Sequence, residues 1–569
     1  MAALFWVLCS PALVAAVVAV HSAVSLARNY LVARRIGLPV RVIPIDHTNP
    51  LWLAVDRKVL AYVRRLPGFL GDNSFTRYNF RAWEMYDRLR PHQEMGDAFV
   101  IVTPARIWFY LASPEALMDC FHRRTDFPRC VEMTEILNVF GKNLSTVEGQ
   151  QWKTQRKIIA TCFNEQNHEV VWTESLSLAR DMLAYWARQP AVTTSAEDLR
   201  TLSLHVLSGA GFGKFYKFEG HTERSDSSVS ANYKNSLQMI LENCVLIMAL
   251  GPAFLARARP WLPGTWKLAK LADTCAAFQR YMTDQYEEEK RASLVQDKTQ
   301  ARPVAAKTLM SSLVSASQAE ARAGAGAGGL SESEIYGNMF MLNFAGHDTT
   351  AHTFTFAIYF IAANPDVQDW LSDEIRAVLG GGDDPAGWKY AASFPRLKRC
   401  LAVMLETLRL YTVVPVSKWV GDQTVSLQVG GKTVVLPPKT MFIPSYAAVQ
   451  TDPRYWGSDA LAWRPSRWIQ EGGAAPGDED LVAFEKGTFL GWSEGARDCP
   501  GKKFSQVEFV ATMAALFRDW RVDPAPLHDG ESREAARKRV LDLIEHDSAP
   551  VLLLQMLHPE RAPLVWKRR

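Results

Sequence analysis

The sequence predicts a mainly α-helical protein with a minor β component and one N-terminal transmembrane helix. Three features support this prediction: an uncharged N-terminal segment, several long stretches with the apolar spacing of helices, and few stretches that alternate like strands. Of the residues, 48% are hydrophobic and 22% charged, which excludes a disordered or fibrous chain. The mild net charge of +4 argues against nucleic acid as a partner.

The N-terminal segment, residues 1–27, contains no charged side chain and is long enough to cross a bilayer, which takes about 20 apolar residues. By the positive-inside rule, the arginines that follow place the rest of the chain in the cytosol; they are Arg28, Arg34, Arg35 and Arg41. A signal peptide cleaved after Ala27 is the alternative, but the segment lacks a basic start. We predict an anchor at 1–27, a basic, proline-containing hinge at 28–50 and one large domain at 51–569.

Cysteine usage and loop composition support one large reduced domain. The eight cysteines are too sparse for a disulfide framework, and no pair has CxxC spacing for zinc. Stretches rich in polar or small residues predict exposed loops rather than long interdomain linkers; these stretches are 220–231, 315–329, 379–387 and 470–480.

Two helices and one hairpin carry clear signals. Residues 332–363 are apolar on nearly every side, which predicts a helix buried in a domain core. Ser331 or Ser333 would cap its start, and a proline follows its end. Residues 396–411 predict a second helix. The alternation over 424–436, interrupted by two glycines, predicts a β-hairpin.

A single cysteine stands between glycines in the segment 492–501, which reads WSEGARDCPG. Glycine allows the backbone to approach a flat or tight partner closely. A helix is predicted directly after Cys499, and its N-terminus would favour the thiolate. Arg497 is placed to meet an anion. Taken alone, such a cysteine is more simply structural.

The complete segment resembles the haem-binding loop of the cytochrome P-450 superfamily, F-x-x-G-x-R-x-C-x-G, with Trp492 in place of the usual Phe. The resemblance implies a cytochrome P-450 fold, with an α-rich haem domain and a smaller β-containing region. It also implies that Cys499 is the proximal iron ligand of haem b, with Arg497 and Gly501 beside the cofactor. The tryptophan keeps an aromatic ring near the sulfur, so the ligand assignment stands, but its effect on the redox potential of the iron is not predicted.

The second motif, AGHDTT at 345–350, lies in the middle of the predicted buried helix. It resembles the family's A/G-G-x-D/E-T-T/S oxygen-activation motif. The resemblance implies that Ala345 and Gly346 leave room for a ligand and that Thr349 and Asp348 supply protons. Polar residues that bond their own helix carbonyls are the alternative for this motif alone.

Two histidines lie in or near this motif. His347 and His352 do not share a helix face well, so a shared metal is not expected. We expect His347 to be a satisfied core or water-linked histidine.

The third motif, Trp152 and Arg156 in W-x-x-x-R, resembles the family's helix over the cofactor. The resemblance implies that both side chains bind a haem propionate. Lys418 stands where the family often has another propionate-binding Arg or Lys. Gln450 replaces the family's common histidine before Asp-Pro, which puts one propionate contact in doubt.

The fourth motif, Glu406 and Arg409 in E-x-x-R, resembles the family's scaffold helix, and 464–468 resembles its partner segment. The resemblance implies a buried charge network of Glu406, Arg409 and Arg467 that supports the fold and performs no chemistry. Alone, an i,i+3 pair of this kind is usually a solvated surface feature.

The four motifs occur in the family's order, and the sequence around the cysteine loop is most similar to fungal members. Together they imply a membrane-anchored haem-thiolate monooxygenase. It would insert one oxygen atom of O2 into a lipophilic small molecule, by hydroxylation or epoxidation. Electrons would come from NADPH through a separate flavoprotein reductase, because the chain shows no dinucleotide fingerprint or flavin module. Cytochrome b5 is a second candidate donor. The anchor implies membrane lipid as a partner, a single pass in the endoplasmic reticulum and a cytosolic catalytic domain, 51–569.

Docking and substrate selection are assigned to two groups of residues. Basic residues flank the predicted haem side and suit an acidic reductase, although an ordinary solvated face is an equal alternative; they are Lys153, Lys157, Lys502 and Lys503. Apolar residues in the family's variable recognition regions suit a lipophilic substrate without naming it; they include Phe140, Phe212, Leu342, Phe344, Val413 and Val414.

Two other functions remain open from sequence. A haem-thiolate isomerase or dehydratase would rearrange a peroxide without O2, but Asp348 and Thr349 argue against it. A haem sensor or electron carrier would have no use for a proton relay.

Overall fold

The computed structural model describes most of the chain, in ten segments. They are residues 2–220, 236–241, 243–255, 257, 265–296, 308–323, 329–380, 387–414, 417–472 and 475–569. Most of the predicted loops at 220–231 and 379–387 lies outside the described residues, as do parts of the loop at 470–480 and of the predicted recognition regions.

Helices make up most of the described chain. The first ten are Ala2–Arg34 (α1), Pro50–Val63 (α2), Ser74–Tyr78 (α3), Glu84–Asp87 (α4), Arg90–Met95 (α5), Pro114–His122 (α6), Val131–Thr134 (α7), Gly149–Ala160 (α8), Glu165–Trp186 (α9) and Ser195–Phe212 (α10).

The later helices follow after a short helical stretch at 236–241. They are Cys244–Leu250 (α11), Pro252–Leu255 (α12), Trp266–Gln296 (α13), Leu309–Ala323 (α14), Glu332–Ala363 (α15), Pro365–Leu379 (α16), Tyr390–Ser393 (α17), Lys398–Leu410 (α18), Tyr446–Val449 (α19), Pro453–Trp456 (α20), Lys502–Phe517 (α21) and Arg533–His546 (α22).

Strands are few and short. They are Val40–Val42 (β1), Ala98–Val102 (β2), Ile107–Leu111 (β3), Lys418–Trp419 (β4), Val425–Val429 (β5), Lys432–Leu436 (β6), Met441–Pro444 (β7), Trp520–Pro524 (β8), Ser548–Pro550 (β9), Leu554–Met556 (β10) and Leu564–Arg568 (β11). The mainly helical fold with minor sheet, predicted from sequence, is confirmed.

The chain forms two compact units, and each is described by itself. The first, which we call the sheet unit, contains residues 1–130, 409–462 and 483–498. The second, which we call the helical unit, contains residues 131–408, 463–482 and 499–569.

The sheet unit is built on a five-stranded sheet with the order β1-β2-β3-β7-β4. Strands β2 and β3 are buried at every position, which matches their continuous apolar sequences. The β5–β6 hairpin turns through Gly430 and Gly431, both with positive φ, as the pair of glycines predicted.

Helix α1 runs beyond the predicted anchor, to Arg34. Its described part contains a stretch, Leu13–Arg34, that is long and apolar enough to cross a membrane. Leu26 and Tyr30 pack against the core of the sheet unit, and Asn29 donates to the Thr103 and Pro104 carbonyls. The last turns of α1 are therefore part of the folded sheet unit.

The helical unit surrounds α15, which is buried along nearly its whole length. Its start is a capping box, in which Ser331 accepts from the Glu334 backbone and the Glu334 carboxylate accepts from the Ser331 N–H. Asn364 ends the helix, directly before the Pro365 that begins α16. The helix predicted at 332–363, capped by Ser331, is thus confirmed.

One predicted loop is wrong. Residues 315–323 of the predicted loop 315–329 belong to α14, and Leu313 and Val314 of that helix are buried in the helical unit. The prediction counted small alanines and serines as loop residues, although alanine is the strongest helix former and an apolar face precedes them.

Candidate active site

The middle of α15 breaks the burial of that helix. Residues 345–346 and 348–349 are half-buried, whereas the turns that follow, from Thr350 to Ala363, are buried throughout. The centre of this core helix therefore carries an accessible patch. The predicted oxygen-activation motif occupies this patch.

Thr349 uses its side chain within the helix. Its hydroxyl donates to the Ala345 carbonyl at 2.8 Å, and its own carbonyl accepts from Thr353 at 2.9 Å. The half-buried hydroxyl oxygen keeps acceptor capacity while its proton is held on the backbone.

Gly346 is small because of packing in the helical unit. A Cβ atom at Gly346 would lie 2.9 Å from the Leu207 side chain of α10. Its neighbour Ala345 is half-buried on the same turn. Helix α10 therefore packs closely on the motif.

Asp348 lies beside a guanidinium and an imidazole. Its Oδ1 lies 3.2 Å from Nε of Arg200 on α10 and 3.4 Å from Nε2 of His352, one turn further along α15. Burial by itself would raise the pKa of Asp348, but the hydrogen bond from His352 and the charges of His352, His347 and Arg200 hold that pKa well below its usual range. The carboxylate is therefore ionised at neutral pH.

His347 is a core histidine, as expected. It is 7% exposed, and its Nδ1 lies 2.5 Å from the Asn343 carbonyl oxygen. Burial lowers its pKa despite the nearby Asp348 carboxylate. Among the described residues, no three or more His, Cys, Asp or Glu side chains cluster in a way that could bind a metal ion.

Cys499 differs from the other cysteines described. Its thiol is exposed, whereas those of Cys120, Cys130, Cys162 and Cys400 are buried. Burial raises the pKa of the Cys120 thiol well above its usual value, so a buried thiol of this kind is inert as a ligand.

Helix α21 begins three residues after Cys499 and offers its N-terminus nearby. Lys502 N–H donates to the Cys499 carbonyl at 3.4 Å, and Gly501 is the N-cap without a side-chain cap. The first turn contains no acidic residue to offset the helix dipole. This environment favours a thiolate.

Gly501 is not required by the chain's own packing. Its φ is not in the left-handed region, and an added Cβ would make ordinary contacts with Phe163 and the Cys499 sulfur, at 3.7 and 3.9 Å. A small side chain would therefore fit at 501, so the chain's own packing does not explain this glycine.

Helix α8 carries Trp152 and Arg156. Trp152 is 6% exposed and Arg156 half-buried. The buried Gln155 between them orients the helix, because it donates to the Glu334 carboxylate at 3.1 Å and accepts from Asn338 of α15 at 3.1 Å. Sequence reasoning missed this polar link, which joins α8 to the core helix.

Lys418 and Arg497 belong to the sheet unit. Lys418 is 3% exposed, and its Nζ lies 4.9 Å from the centre of the Phe121 ring. Arg497 ends a short 3₁₀ turn that begins at Gly495. Glycine is required at 495, because φ is +76° and a Cβ would lie 2.7 Å from the Phe121 carbonyl oxygen.

Gln450 has a structural role in the sheet unit that the sequence comparison did not suggest. Its amide donates to the Arg409 carbonyl at 2.8 Å and the Thr412 hydroxyl at 2.7 Å, and it accepts from Leu490 N–H at 2.7 Å. It therefore ties the end of α18 to the loop that leads to the cysteine segment.

Of the predicted network of Glu406, Arg409 and Arg467, the structure shows the contact between Glu406 and Arg467 in the helical unit. The Glu406 carboxylate accepts from Arg467 Nε at 2.9 Å, from Arg464 N at 2.8 Å and from Trp468 Nε1 at 3.0 Å. In the sheet unit, Arg409 donates to main-chain carbonyls; they are those of Gln450, Ala460 and Ala462.

Comparison with known proteins agrees with this architecture. A mainly helical fold, with an Asp-Thr pair on its core helix and an exposed cysteine before another buried helix, defines a haem-thiolate class of protein. The family model for Cytochrome P450 matches residues 82–543. The chain belongs to the cytochrome P450 family.

Fungal relatives define its type of reaction. A cytochrome P450 monooxygenase of Arthrobotrys oligospora is 27% identical over 566 residues, with 93% of each chain covered. Cytochrome P450 monooxygenase 124 of Postia placenta is 30% identical, over 84% of this chain and 87% of its own. The phomenoic acid biosynthesis cluster cytochrome P450 monooxygenase of Leptosphaeria maculans is 29% identical, over 89% of this chain and 90% of its own.

The chain is accordingly a monooxygenase, an oxidoreductase with haem iron that uses O2, a small-molecule substrate and a redox partner. The residues present fit a haem, because the helical unit contains an accessible thiol, a glycine at 501 that the chain's own packing does not require, and an accessible patch on the core helix.

Proposed function

We propose that this chain is a membrane-anchored haem-thiolate monooxygenase that inserts one oxygen atom of O2 into a lipophilic small molecule. The observation that carries the proposal is the accessible Asp348–Thr349 patch on the otherwise buried α15, within the same unit as the exposed Cys499 thiol. The Leptosphaeria maculans relative, named for a biosynthetic cluster, supports a substrate from secondary metabolism.

Haem binding is assigned to residues identified by their motifs. In the helical unit, Cys499 would bind the iron through its thiolate, and Trp152 and Arg156 on α8 would bind propionate. For Lys418 and Arg497, the same cationic role stays a prediction from the sequence. Gly501 would leave room beside the sulfur, and the haem would supply the iron at which O2 is activated.

Proton supply is assigned to Asp348 and Thr349. The Thr349 hydroxyl, held on the Ala345 carbonyl, can pass its proton on and accept another, and the ionised Asp348 can receive a proton and release it. Ala345 would keep the helix backbone accessible beside them, whereas the room predicted beside Gly346 is occupied by Leu207 of α10. This division of work requires both side chains to stay at the accessible patch.

The apolar residues expected to contact substrate are partly within the described chain. Phe140 packs against Phe278 and Phe340, with ring centres 5.5 and 5.3 Å away, in the helical unit. Leu342 and Phe344 of α15 are buried. These contacts support an apolar pocket wall and a lipophilic substrate.

Electrons would come from NADPH through a separate flavoprotein reductase, with cytochrome b5 as a second donor. Lys153, Lys157 and Lys502 are exposed in the helical unit. Lys503 is half-buried, with its Nζ 4.1 Å from the centre of the Phe394 ring. Three exposed lysines on α8 and at the start of α21 support an acidic docking partner.

The membrane assignment rests on α1. We place its apolar part in the endoplasmic reticulum membrane as a single pass, with lipid around it and the domain from residue 51 onward in the cytosol. Residues 13–21 of the stretch Leu13–Arg34 are exposed, and Arg28 and Arg34 lie at its cytosolic end.

The first test is the carbon monoxide difference spectrum of the dithionite-reduced membrane fraction. We expect the strongly red-shifted Soret band of thiolate ligation in the parent and its loss in Cys499→Ser. Cys275→Ser, which changes a half-buried thiol of the same unit, is the matched control and keeps the band. Retention of the band in Cys499→Ser would refute the ligand assignment, and a folded parent without haem would refute the function.

The second test concerns the proton supply. We expect Thr349→Ala to retain haem and to divert NADPH electrons to hydrogen peroxide. Thr355→Ala removes an equivalent helix hydrogen bond, from Thr355 Oγ1 to the Ala351 carbonyl at 2.9 Å, and should not change coupling. Turnover of a hydroperoxide without NADPH would instead support an isomerase, and the lack of any substrate-induced spectral shift across a lipophilic panel would support a sensor.

A further inference from the structure

His352 lies between a donor and an acceptor. Its Nε2 is 3.4 Å from Asp348 Oδ1 and 3.5 Å from Arg200 Nη2. A guanidinium only donates hydrogen bonds and an ionised carboxylate only accepts them. The single ring nitrogen can therefore satisfy one neighbour at a time: unprotonated, it accepts from Arg200, and protonated, it donates to Asp348.

Arg200 is fixed on its other sides. Its Nη1 donates to Glu197 Oε1 at 2.8 Å, and its Nη2 donates to Gln555 Oε1 at 2.9 Å. These bonds come from α10 and β10, so the guanidinium does not depend on His352 for its position. The Arg200 cation remains beside the imidazole in both arrangements.

The cluster reaches from the surface to the oxygen-activation motif. The Glu197 side chain is 37% exposed, Arg200 19%, Asp348 15% and His352 5%. Solvent therefore reaches the edge of the cluster at Glu197, Arg200 and Asp348, while the imidazole itself is almost fully enclosed.

We propose that His352 is the positioning residue that supplies protons to Asp348. Arg200 sets the balance between its two protonation states, because its guanidinium favours the unprotonated imidazole. This inference rests on the proposed monooxygenase function and deepens it. In the step, the Nε2–H bond of the imidazolium breaks and an O–H bond forms on Asp348, so an ion pair becomes two neutral groups without electron transfer. After Asp348 has passed this proton on, one proton from bulk solvent reprotonates the imidazole, so each cycle takes up one solvent proton.

The other groups that face Asp348 cannot fill this role. Arg200 stays protonated at every accessible pH. His347 has its Nδ1 on the Asn343 carbonyl, and burial lowers its pKa. Because the pKa of Asp348 is held well below its usual range, the carboxylate does not store a proton at rest. The charged and titratable groups around His352 are thus Asp348, Arg200 and, beyond it, Glu197.

The first experiment reads the proton on His352 without any turnover. Nitrogen-15 spectra of histidine-labelled full-length protein, in the diamagnetic ferrous carbon monoxide form, are assigned with His352→Gln. Arg200→Met should move the Nε2 signal toward the protonated nitrogen, since only the acceptor remains. Asp348→Asn should move it toward the unprotonated nitrogen. Unchanged signals in both variants would overturn the proposal, and Arg200→Leu, which also removes the donor, replaces Arg200→Met if the latter does not fold.

The second experiment uses the holoenzyme with reductase and a turned-over substrate. His352→Gln keeps hydrogen bonding but cannot carry the proton, so product formation should fall about tenfold while peroxide release per NADPH and the solvent deuterium isotope effect rise. His168→Gln is the matched control, because His168 is 3% exposed and lies 3.4 Å from the Glu165 carboxylate elsewhere in the helical unit.

Haem content and the substrate-induced spectral shift should stay unchanged in both histidine variants. Unchanged coupling and isotope effect in His352→Gln would overturn the relay. If the parent lacks the thiolate carbon monoxide band, the proposed function fails instead; the nitrogen-15 shifts, measured then on the folded protein without carbon monoxide, still decide between the two arrangements.

Discussion

Two carboxylates in the helical unit, Glu406 and Asp348, differ in burial and in the kind of partners they contact. Glu406 is fully buried and accepts hydrogen bonds from Arg467, Trp468 and the Arg464 backbone at 2.8–3.0 Å. Asp348 is 15% exposed and meets its partners at 3.2 and 3.4 Å. Every partner of Glu406 named here is a fixed donor, whereas one partner of Asp348 is an imidazole whose proton can be on or off.

This difference between the partners of Glu406 and Asp348 distinguishes a structural carboxylate from one suited to proton transfer. A carboxylate whose partners cannot change protonation state holds chain segments in one arrangement. A carboxylate beside a titratable group and solvent has two arrangements close in energy, which proton transfer requires. The four predictions that follow test this contrast, from the largest expected effect to the smallest.

Glu406→Gln should have the largest effect. It leaves the Arg467 guanidinium buried, with a 4% exposed side chain, opposite a neutral group. Loss of one partner of a buried pair costs about 3–5 kcal/mol of unfolding free energy. We expect little folded holoprotein, measured as haem content and melting temperature of the purified variant.

The control for Glu406→Gln is Asp478→Asn. Its pair with Arg396 has side chains 64% and 44% exposed, and such surface pairs contribute about 0–1 kcal/mol. A Glu406→Gln variant as stable as Asp478→Asn would contradict the scaffold role.

Glu508 on α21 is a third buried carboxyl and sharpens the comparison, because it has no cationic partner of good geometry among the described residues. Burial raises its pKa from 4.5 to about 8, with the nearby Ser203 hydroxyl lowering it slightly. The group therefore stays protonated at neutral pH, and its contribution to stability is present below pH 4.5 and is lost as the pH rises toward 8.

Glu508→Gln removes this dependence. Its melting temperature should match the parent at pH 4.5 and exceed it at pH 8, with a gain of about 4 kcal/mol in unfolding free energy. Exposed Glu534→Gln on α22 is the control and should show no such trend. A constant difference between Glu508→Gln and the parent across this pH range would contradict the raised pKa.

Gln450→Leu tests a neutral scaffold residue of the sheet unit. The change leaves the Arg409 carbonyl, the Thr412 hydroxyl and the Leu490 N–H without this partner, all three bonds having been 2.7–2.8 Å. Unsatisfied buried groups cost about 1–2 kcal/mol in total here. Thermal melting should detect the loss, whereas Gln428→Leu, at an exposed hairpin bond to Thr433, should leave the melting temperature unchanged.

Arg200→Met should have the smallest effect on stability. Asp348 keeps His352 as a partner and some solvent contact, so the loss should be below about 1 kcal/mol. Its consequence lies in the protonation of His352 rather than in folding. A loss of stability as large as that of Glu406→Gln would place Asp348 among the scaffold carboxylates.

The sequence predicted the elements whose signals are local. The buried helix at 332–363 followed from its period, its Ser331 cap and the proline after it, and the hairpin at 424–436 followed from alternation and two glycines. Such signals operate within a few residues, where backbone geometry and capping decide the conformation. The loop predicted at 315–329 is wrong for residues 315–323, because their small and polar residues include several alanines, which favour a helix.

The sequence by itself determined the family, the four motifs and the residues assigned to haem and oxygen, because each motif is a short pattern of residue types. Only the tertiary structure decided which distant residues contact each other. These pairs are Arg200 with Asp348, Gln155 with Asn338, and Gln450 with Leu490. The asparagine and glutamine partners carry no charge signal, and Arg200 is one of many arginines. Which of them reaches a given polar group depends on long-range packing, which closes only when the helices assemble.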